Sequence, residues 1–252
     1  VQDNDGETDS GNSDATESYK RLIEAIEAAG GPTYQWTDVA PVNNTSGGAP
    51  GGNIRVGYLY NPERVTLVQG TKGEATQANG WTENGNLKLN PGVINPEVFA
   101  GTRKPIAAEF EFQGQRVVVI GNHLNSKGGD ESLWGSSQPP KLNSEVQRLK
   151  LVQEINSFIK AGLAQNPALN VVVTGDMNDF EFTPVLETLK GDVLTNMVDK
   201  VPAEDRFSYF FQGNNQVLDH ILVSNNLVPN TAVDMIHINA NFTEAQGQAS
   251  DH

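Results

Sequence analysis

The sequence predicts an α+β fold. Short runs with strand alternation or unbroken β-branched residues recur along most of the chain, and two stretches carry the helical apolar period. The two kinds of segment do not follow one another as regular βαβ units, which favours packed sheets with helices over one parallel sheet. At 252 residues, with neither an internal repeat nor an inter-domain linker, residues 1–252 read as a single domain large enough to hold a sizeable core.

Residues 1–13 read as an acidic loop, and residues 14–29 as a helix. Asp14 is positioned to cap it, Tyr19, Leu22, Ile23 and Ile26 recur on one face, and Gly30-Gly31-Pro32 stops it. A Gly-, Asn- and Pro-rich loop over 41–53 leads to strands at 54–60 and 64–68, joined by an Asn61-Pro62 turn. Residues 70–96 have no clear period and read as a long loop. Strands follow at 106–112 and 116–120, with Gln113-Gly114 as the turn. A second long loop over 124–142 ends at a helix from about 145 to 164. There Ser144 and Gln147 fit a capping box, and Val146, Leu149, Val152, Ile155, Phe158, Ile159 and Leu163 form the stripe. Residues 170–174 are a buried-type strand ending at Gly175-Asp176, and further strands are expected at 207–211, 217–224 and 233–239.

Composition excludes several classes. Cysteine is absent, which removes disulfides, thiolate zinc sites and a cysteine nucleophile while leaving the compartment open. The longest aliphatic runs, Val117–Ile120 and Val171–Val173, fall far short of the roughly 20 apolar residues a spanning helix needs. The start, Val1-Gln2-Asp3-Asn4-Asp5-Gly6, is neither an initiator Met nor a signal-peptide pattern, so the chain reads as processed or as a fragment. A net charge of −14 argues against nucleic-acid binding by bulk charge. The charge is uneven: residues 1–18 hold six acids and no base, whereas residues 101–160 hold eight bases and six acids.

Of the four histidines, His123, His220 and His252 stand beside polar residues near strand ends, and His252 and His220 each follow an aspartate. His220 and His237 are expected to be structural or exposed. In Thr174-Gly175-Asp176-Met177-Asn178-Asp179-Phe180 a buried strand delivers a carboxylate and an amide to a sheet rim. Such hard oxygens suit Mg²⁺, Mn²⁺ or Ca²⁺. Alone, Asp-x-Asn after a strand is more often a turn, and Asp219-His220 reads equally as a surface pair on an edge strand.

Four motifs in order are more specific. Gly121-Asn122-His123-Leu124-Asn125-Ser126-Lys127, Gly175-Asp176-Met177-Asn178-Asp179-Phe180, Leu218-Asp219-His220-Ile221 and Ser250-Asp251-His252 together resemble the endonuclease/exonuclease/phosphatase superfamily. Gln138-Pro139-Pro140, Glu145-Val146-Gln147-Arg148 and Phe180-Glu181-Phe182 are similar to its secreted bacterial endonuclease subgroup. The resemblance implies a four-layer α/β/β/α sandwich of two packed mixed sheets and a Mg²⁺- or Mn²⁺-dependent phosphodiesterase. By residue, it implies that Asp176 and Asn178 hold the scissile phosphate and its metal, and that Asp251 is a further metal ligand. His252 matches the general base and Asp219 the carboxylate that orients it. His123 matches a second phosphate-contacting or proton-donating position. Arg103, Asn125 and Lys127 match phosphate contacts, Arg103 and Lys127 being equally readable as surface bases. Trp134 is expected to pack, with substrate contact as the alternative.

Set against that family, the first strands, with their Asn and metal-binding Glu, are expected upstream of Val1, and the closing strand beyond His252. The expected function is an extracellular nuclease, acting as a monomer on DNA, with RNA left open as a second substrate, with little sequence preference and no membrane insertion. Without the Glu, the chain is expected to bind Mg²⁺ weakly and turn over poorly. A phosphomonoesterase or phospholipase C-like enzyme and a catalytically impaired binding or scaffold domain are the alternatives. A membrane-acting enzyme should show an exposed aromatic hairpin, and none is evident in the sequence. The acidic 1–14 loop permits a structural Ca²⁺.

Overall fold

The computed structural model describes residues 1–132 and 135–252, so Trp134 lies outside the described residues. Two compact units are present: residues 1–123 with 157–171, and residues 124–156 with 172–252. The α+β class with more than one sheet is what these residues form.

In the first unit, α1 spans Thr16–Ala28. Its cap is divided rather than supplied by Asp14 alone. Asp14 Oδ1 accepts from the Thr16 N–H at 3.2 Å, while Asn4 Oδ1 accepts from Glu17 and Ser18 at 2.8 and 3.3 Å. The helix is less covered than its stripe suggests: Tyr19 is buried and stacks on Trp36 at 4.3 Å, but Leu22 is 44% exposed. β1 (Gln35–Asp38) pairs antiparallel with β2 (Gly57–Tyr60). β1 has no signal in the sequence because Gln-Trp-Thr-Asp is too short and polar to show a period.

β3 (Thr66–Leu67) and β4 (Gly92–Val93) pair with opposite ends of β5 (Ile106–Phe112), which forms a hairpin with β6 (Gln115–His123). The turn is Gln113-Gly114 as expected, with φ of +50° and +74°, the positive pair that a type I′ hairpin requires. Ile106, Ala107, Ala108, Val118 and Ile120 are buried. The 70–96 segment, expected as a loop, contains the short strand β4 and is otherwise held by asparagine hydrogen bonds. Asn90 Nδ2 donates to the carbonyls of Val68 and Glu109 at 2.7 and 3.0 Å, and its Oδ1 accepts from the Glu109 N–H at 2.8 Å.

α2 (Asn143–Gln165) starts in the second unit and ends in the first. The capping box at Ser144 does not form. Asp130, from the preceding loop, accepts from Ser144 N and Oγ at 2.7 and 2.6 Å, which leaves Ser144 within the first turn. The buried face is rotated accordingly: Arg148, Leu151, Val152, Ile155, Phe158 and Ile159 are covered, and Val146 is 70% exposed.

The rest of the second unit contains β7 (Val171–Asp176) from Val172 onward, α3 (Pro184–Lys190), β8 (Leu194–Asn196), β9 (Tyr209–Phe211), β10 (Asn214–Gln216) and β11 (Asp219–Ser224). β11 pairs antiparallel with β7 on one side and β8 on the other. β9 and β10 form a hairpin that leaves Phe210 and Phe211 about half exposed. This is the aromatic hairpin the sequence did not reveal. The strand expected at 233–239 is not one: the segment alternates partly covered and exposed residues without a ladder partner among the described residues. Alternation fixes where side chains point, but a strand also needs a neighbouring edge to bond.

Candidate active site

The site is built on the register of β7 and β11. Asp219 lies directly opposite Asp176, and His220 opposite Gly175. Residues that face each other across an antiparallel pair project to the same side, so the two carboxylates share a face and His220 is turned to the other. His220 is buried, its Nε2 2.9 Å from the Asp179 carbonyl and its Nδ1 3.1 Å from Asn196 Nδ2. Burial lowers its pKa, which keeps it neutral and structural.

His252 Nδ1 is 2.6 Å from Asp219 Oδ2. A carboxylate can only accept, so Nδ1 carries the proton and Nε2 is presented as the basic atom. The Asp219 hydrogen bond raises the His252 pKa against the opposing effect of burial, with the charges of Asp219, Asp176 and Asp251 adding to the rise. For Asp219, burial pushes upward, but hydrogen bonds from His252 and Ser208 and the charge of His252 bring it below the usual carboxylate value. Ser208 Oγ also accepts from the backbone N–H groups of Leu218 and Asp219, both at 3.1 Å. The Tyr209 ring lies 4.9 Å from the His252 ring. Its pKa is raised by burial and then by the charges of Asp251 and Asp176. A cavity of about 320 Å³ opens beside the pair, lined among others by Asp219, His252, Ser208, His237 and Ile236. His237 stacks on Phe207 at 3.6 Å, a packing role.

After β7 the backbone turns at Asn178, with φ +50°, a conformation asparagine tolerates. The Asp176 carboxylate accepts from Asn178 N at 2.8 Å and Nδ2 at 2.9 Å, and Nδ2 also donates to the Leu124 carbonyl at 3.0 Å. Both amide hydrogens are thus used, and Oδ1 is the atom Asn178 can offer. The next residue, Asp179, is fully buried. It binds Arg148 Nε at 2.9 Å and Lys127 Nζ at 2.7 Å, and Arg148 in turn donates to the carbonyls of Asn125 and Ser126 and to Ser144 Oγ. The 124–130 loop is therefore fastened to the turn that carries Asn178. Sequence reading passed over Asp179, Ser208 and Tyr209; only the doubled acid in Asp176-Met177-Asn178-Asp179 hinted at the first.

The structure thus brings Asp176, Asn178, Asp219 and His252 together, with Asp251 near enough to act on His252. Lys127 is engaged by Asp179 and lies 4.6 Å over the Phe180 ring. Asn125 donates to the Ser144 carbonyl at 3.2 Å, and its buried Oδ1 has no hydrogen-bond partner. His123, the last residue of β6, and Arg103 belong to the first unit.

Hard oxygen donors at this face are chemically suited to a divalent ion. Among the described residues no three His, Asp or Glu side chains gather as a metal cluster. Magnesium, however, typically takes only one or two carboxylates and completes its shell with water and substrate phosphate. Asp176, Asp251 and Asn178 Oδ1 are donors of the type such an ion takes.

A model of the endonuclease/exonuclease/phosphatase family matches residues 91–246, more than half of the chain and all of β7, β11 and the turn between Asp176 and Phe180. The chain belongs to this family. No curated protein matches it. Among solved structures, this family member is similar to the human Nocturnin catalytic domain with bound sulfate, at 15% identity and a TM-score of 0.49, covering 83% of this chain and 66% of that one. It is also similar to a mannosyl-6-phosphatase from Bacteroides thetaiotaomicron, at 14% identity and a TM-score of 0.46, covering 82% and 68%. A third is sphingomyelinase C from Streptomyces griseocarneus, at 18% identity and a TM-score of 0.37, covering 54% and 48%. This endonuclease/exonuclease/phosphatase chain spans just under two thirds of the Nocturnin domain's length.

Proposed function

We propose that the chain carries the catalytic face of a metal-dependent phosphodiester hydrolase, specifically an extracellular nuclease of the secreted bacterial subgroup that cleaves DNA, and also RNA, with little sequence preference. The observation that carries this is the Asp219–His252 pair standing across the ladder from Asp176. In this reading His252 Nε2 takes a proton from water as its oxygen attacks phosphorus, and Asp219 holds the ring in the required tautomer. The P–O bond to the leaving group breaks as the new one forms, and the leaving oxygen takes up a proton. Asn125 and Lys127 are assigned to the phosphate, Lys127 only when substrate competes with Asp179. Mg²⁺ or Mn²⁺, held by Asp176, Asp251 and Asn178, would neutralise charge developing on the phosphate. The protein acts as a monomer in this reading.

A second reading, a phospholipase C-like enzyme, draws on one observation: the exposed Phe210-Phe211 hairpin adjoins Tyr209 and His252. The deciding experiment offers supercoiled DNA, a chromogenic phosphomonoester and sphingomyelin liposomes, with Mg²⁺ and with EDTA. Mg²⁺-dependent nicking of DNA alone, lost in Asp176→Ala and His252→Ala, supports the nuclease. Turnover of liposomes alone, lost in Phe210→Ser, supports the lipase. A folded chain inert on all three supports a non-catalytic domain.

A further inference from the structure

The acidic N-terminal loop is packed against residues 43–53, within the first unit. Gly51, at φ +78°, brings the two backbones so close that a Cβ there would stand 2.7 Å from Asp9 N. At the centre of the contact is Asn53, 3% exposed. Its Nδ2 has four oxygen neighbours: Asp3 Oδ2 and the Asn12 carbonyl at 2.8 Å, Asn43 Oδ1 at 2.9 Å and the Gly51 carbonyl at 3.1 Å. An amide has two hydrogens, so the oxygens outnumber the donors. The other end of the side chain is fixed, because Asn53 Oδ1 accepts from the Asn44 N–H at 2.9 Å.

Asp3 supplies a separate observation. It is 2% exposed, and its Oδ1 is buried without a hydrogen-bond partner. Asp5 is close enough to interact with Asp3, and its carboxylate accepts from Ser10 Oγ at 2.5 Å and Asn12 Nδ2 at 3.5 Å. The buried Arg55 is engaged elsewhere, donating to the carbonyls of Asn53 and Ser13 and pairing with Asp38 at 3.5 Å. Two adjoining carboxylates, one with an orphaned buried oxygen, stand beside a surplus of carbonyl oxygens, with the buried Arg55 Nη2 as an unpartnered donor nearby, so oxygen acceptors outnumber the donors around them.

We propose that this loop pair is a calcium site, with Asp3 Oδ1 and the Asp5 carboxylate as its charged ligands. Asn43 Oδ1 and the carbonyls of Asn12 and Gly51 are the neutral oxygens available beside them. Calcium is the fitting ion because it accepts six to eight oxygens in irregular geometry, carbonyl and amide oxygens included, whereas magnesium demands a near-ideal octahedron and keeps several waters. The site is distinct from the one around Asp176, and its consequence is structural. Asn4, between the two ligands, caps α1 through Glu17 and Ser18, so the ion would fix the start of that helix.

The test titrates CaCl₂ and MgCl₂ calorimetrically into the chain carrying Asp176→Asn and Asp251→Asn, which removes the acids assigned to the catalytic ion. A single calcium per chain is expected, with magnesium binding more weakly and the thermal midpoint rising with calcium only. Asp5→Asn should weaken calcium binding by about tenfold or more, because affinity follows ligand charge. Asp3→Asn should do the same. Since Asp3 also bonds Asn53, circular dichroism must show that this variant is folded, and Asp5→Asn decides if it is not. Absence of calcium binding in the Asp176/Asp251 background, or an Asp5→Asn variant that binds as tightly as its parent, overturns the proposal.

Discussion

Asp219 and Asp176 stand directly opposite each other on β11 and β7, although 43 positions separate them in the chain. The antiparallel register makes them neighbours on one face, and His252 joins by a 2.6 Å hydrogen bond to Asp219. Like charges facing across a ladder are unfavourable unless something compensates. Here His252 compensates one carboxylate and the Asn178 N–H groups the other.

The raised His252 pKa sets the pH profile. A general base works when neutral, so activity should rise with pH through a midpoint above the ordinary histidine value of about 6.5. In Asp219→Asn the main cause of the rise is gone. The midpoint should move down, and the plateau rate should fall by about 10²–10⁴ because the tautomer is no longer fixed. Rates of DNA nicking against pH, with an NMR titration of His252, check both. An unmoved midpoint would separate the pair from the chemistry.

Asn178 combines a backbone role with an oxygen donor. Asn178→Gly relieves the positive φ but gives up the Nδ2 hydrogen bonds to Asp176 and the Leu124 carbonyl, so it should lower the thermal midpoint modestly and the rate by about 10²–10³. Asn178→Ala should lose activity similarly and cost about 1–2 kcal/mol more than Gly in stability, because Ala is strained in the left-handed region. Urea unfolding of both variants beside nicking assays separates the two roles.

Arg148 and Asp179 form an ion pair with both side chains fully buried. Removing one partner strands the other, so Arg148→Ala should cost about 3–5 kcal/mol, toward the lower end because Lys127 remains. Lys127 is a third exposed, and Lys127→Met should cost about 1 kcal/mol or less. Equal costs in denaturant melts would refute this ranking.

Two histidines shape stability with pH in opposite senses. The His252 pKa is raised, so its contribution is fully present below about 6.5 and is lost as pH rises through its folded value. The His220 pKa is lowered by burial, so its contribution is present above about 6.5 and is lost as pH falls through its folded value. Stability should therefore peak near neutrality. His252→Gln should flatten the alkaline side and His220→Asn the acid side, as read from urea midpoints across pH. Partial solvent exposure of His252 makes its limb the smaller.

Elements with a strong local signal were legible in the sequence. The Gln113-Gly114 hairpin is one, because two positive φ values in a two-residue loop select such residues. α2 is another, since its apolar period runs for several turns. Its exact face was not, because Asp130 rather than Ser144 anchors its start. Residues 209–216 form an exposed hairpin and residues 233–239 have no ladder partner, and neither fact is written in local alternation.

The residue order by itself determined the α+β class, the family and the identity of the candidate chemical groups, because these depend on periodicity and on motifs spelled out locally. Only the tertiary structure decided which groups meet. It placed Asp176 across from Asp219, gave His252 rather than His220 the free imidazole edge, and tied Lys127 to Asp179. The reason is that strand register and long-range hydrogen bonds are set by the packing of distant segments, which no local pattern records.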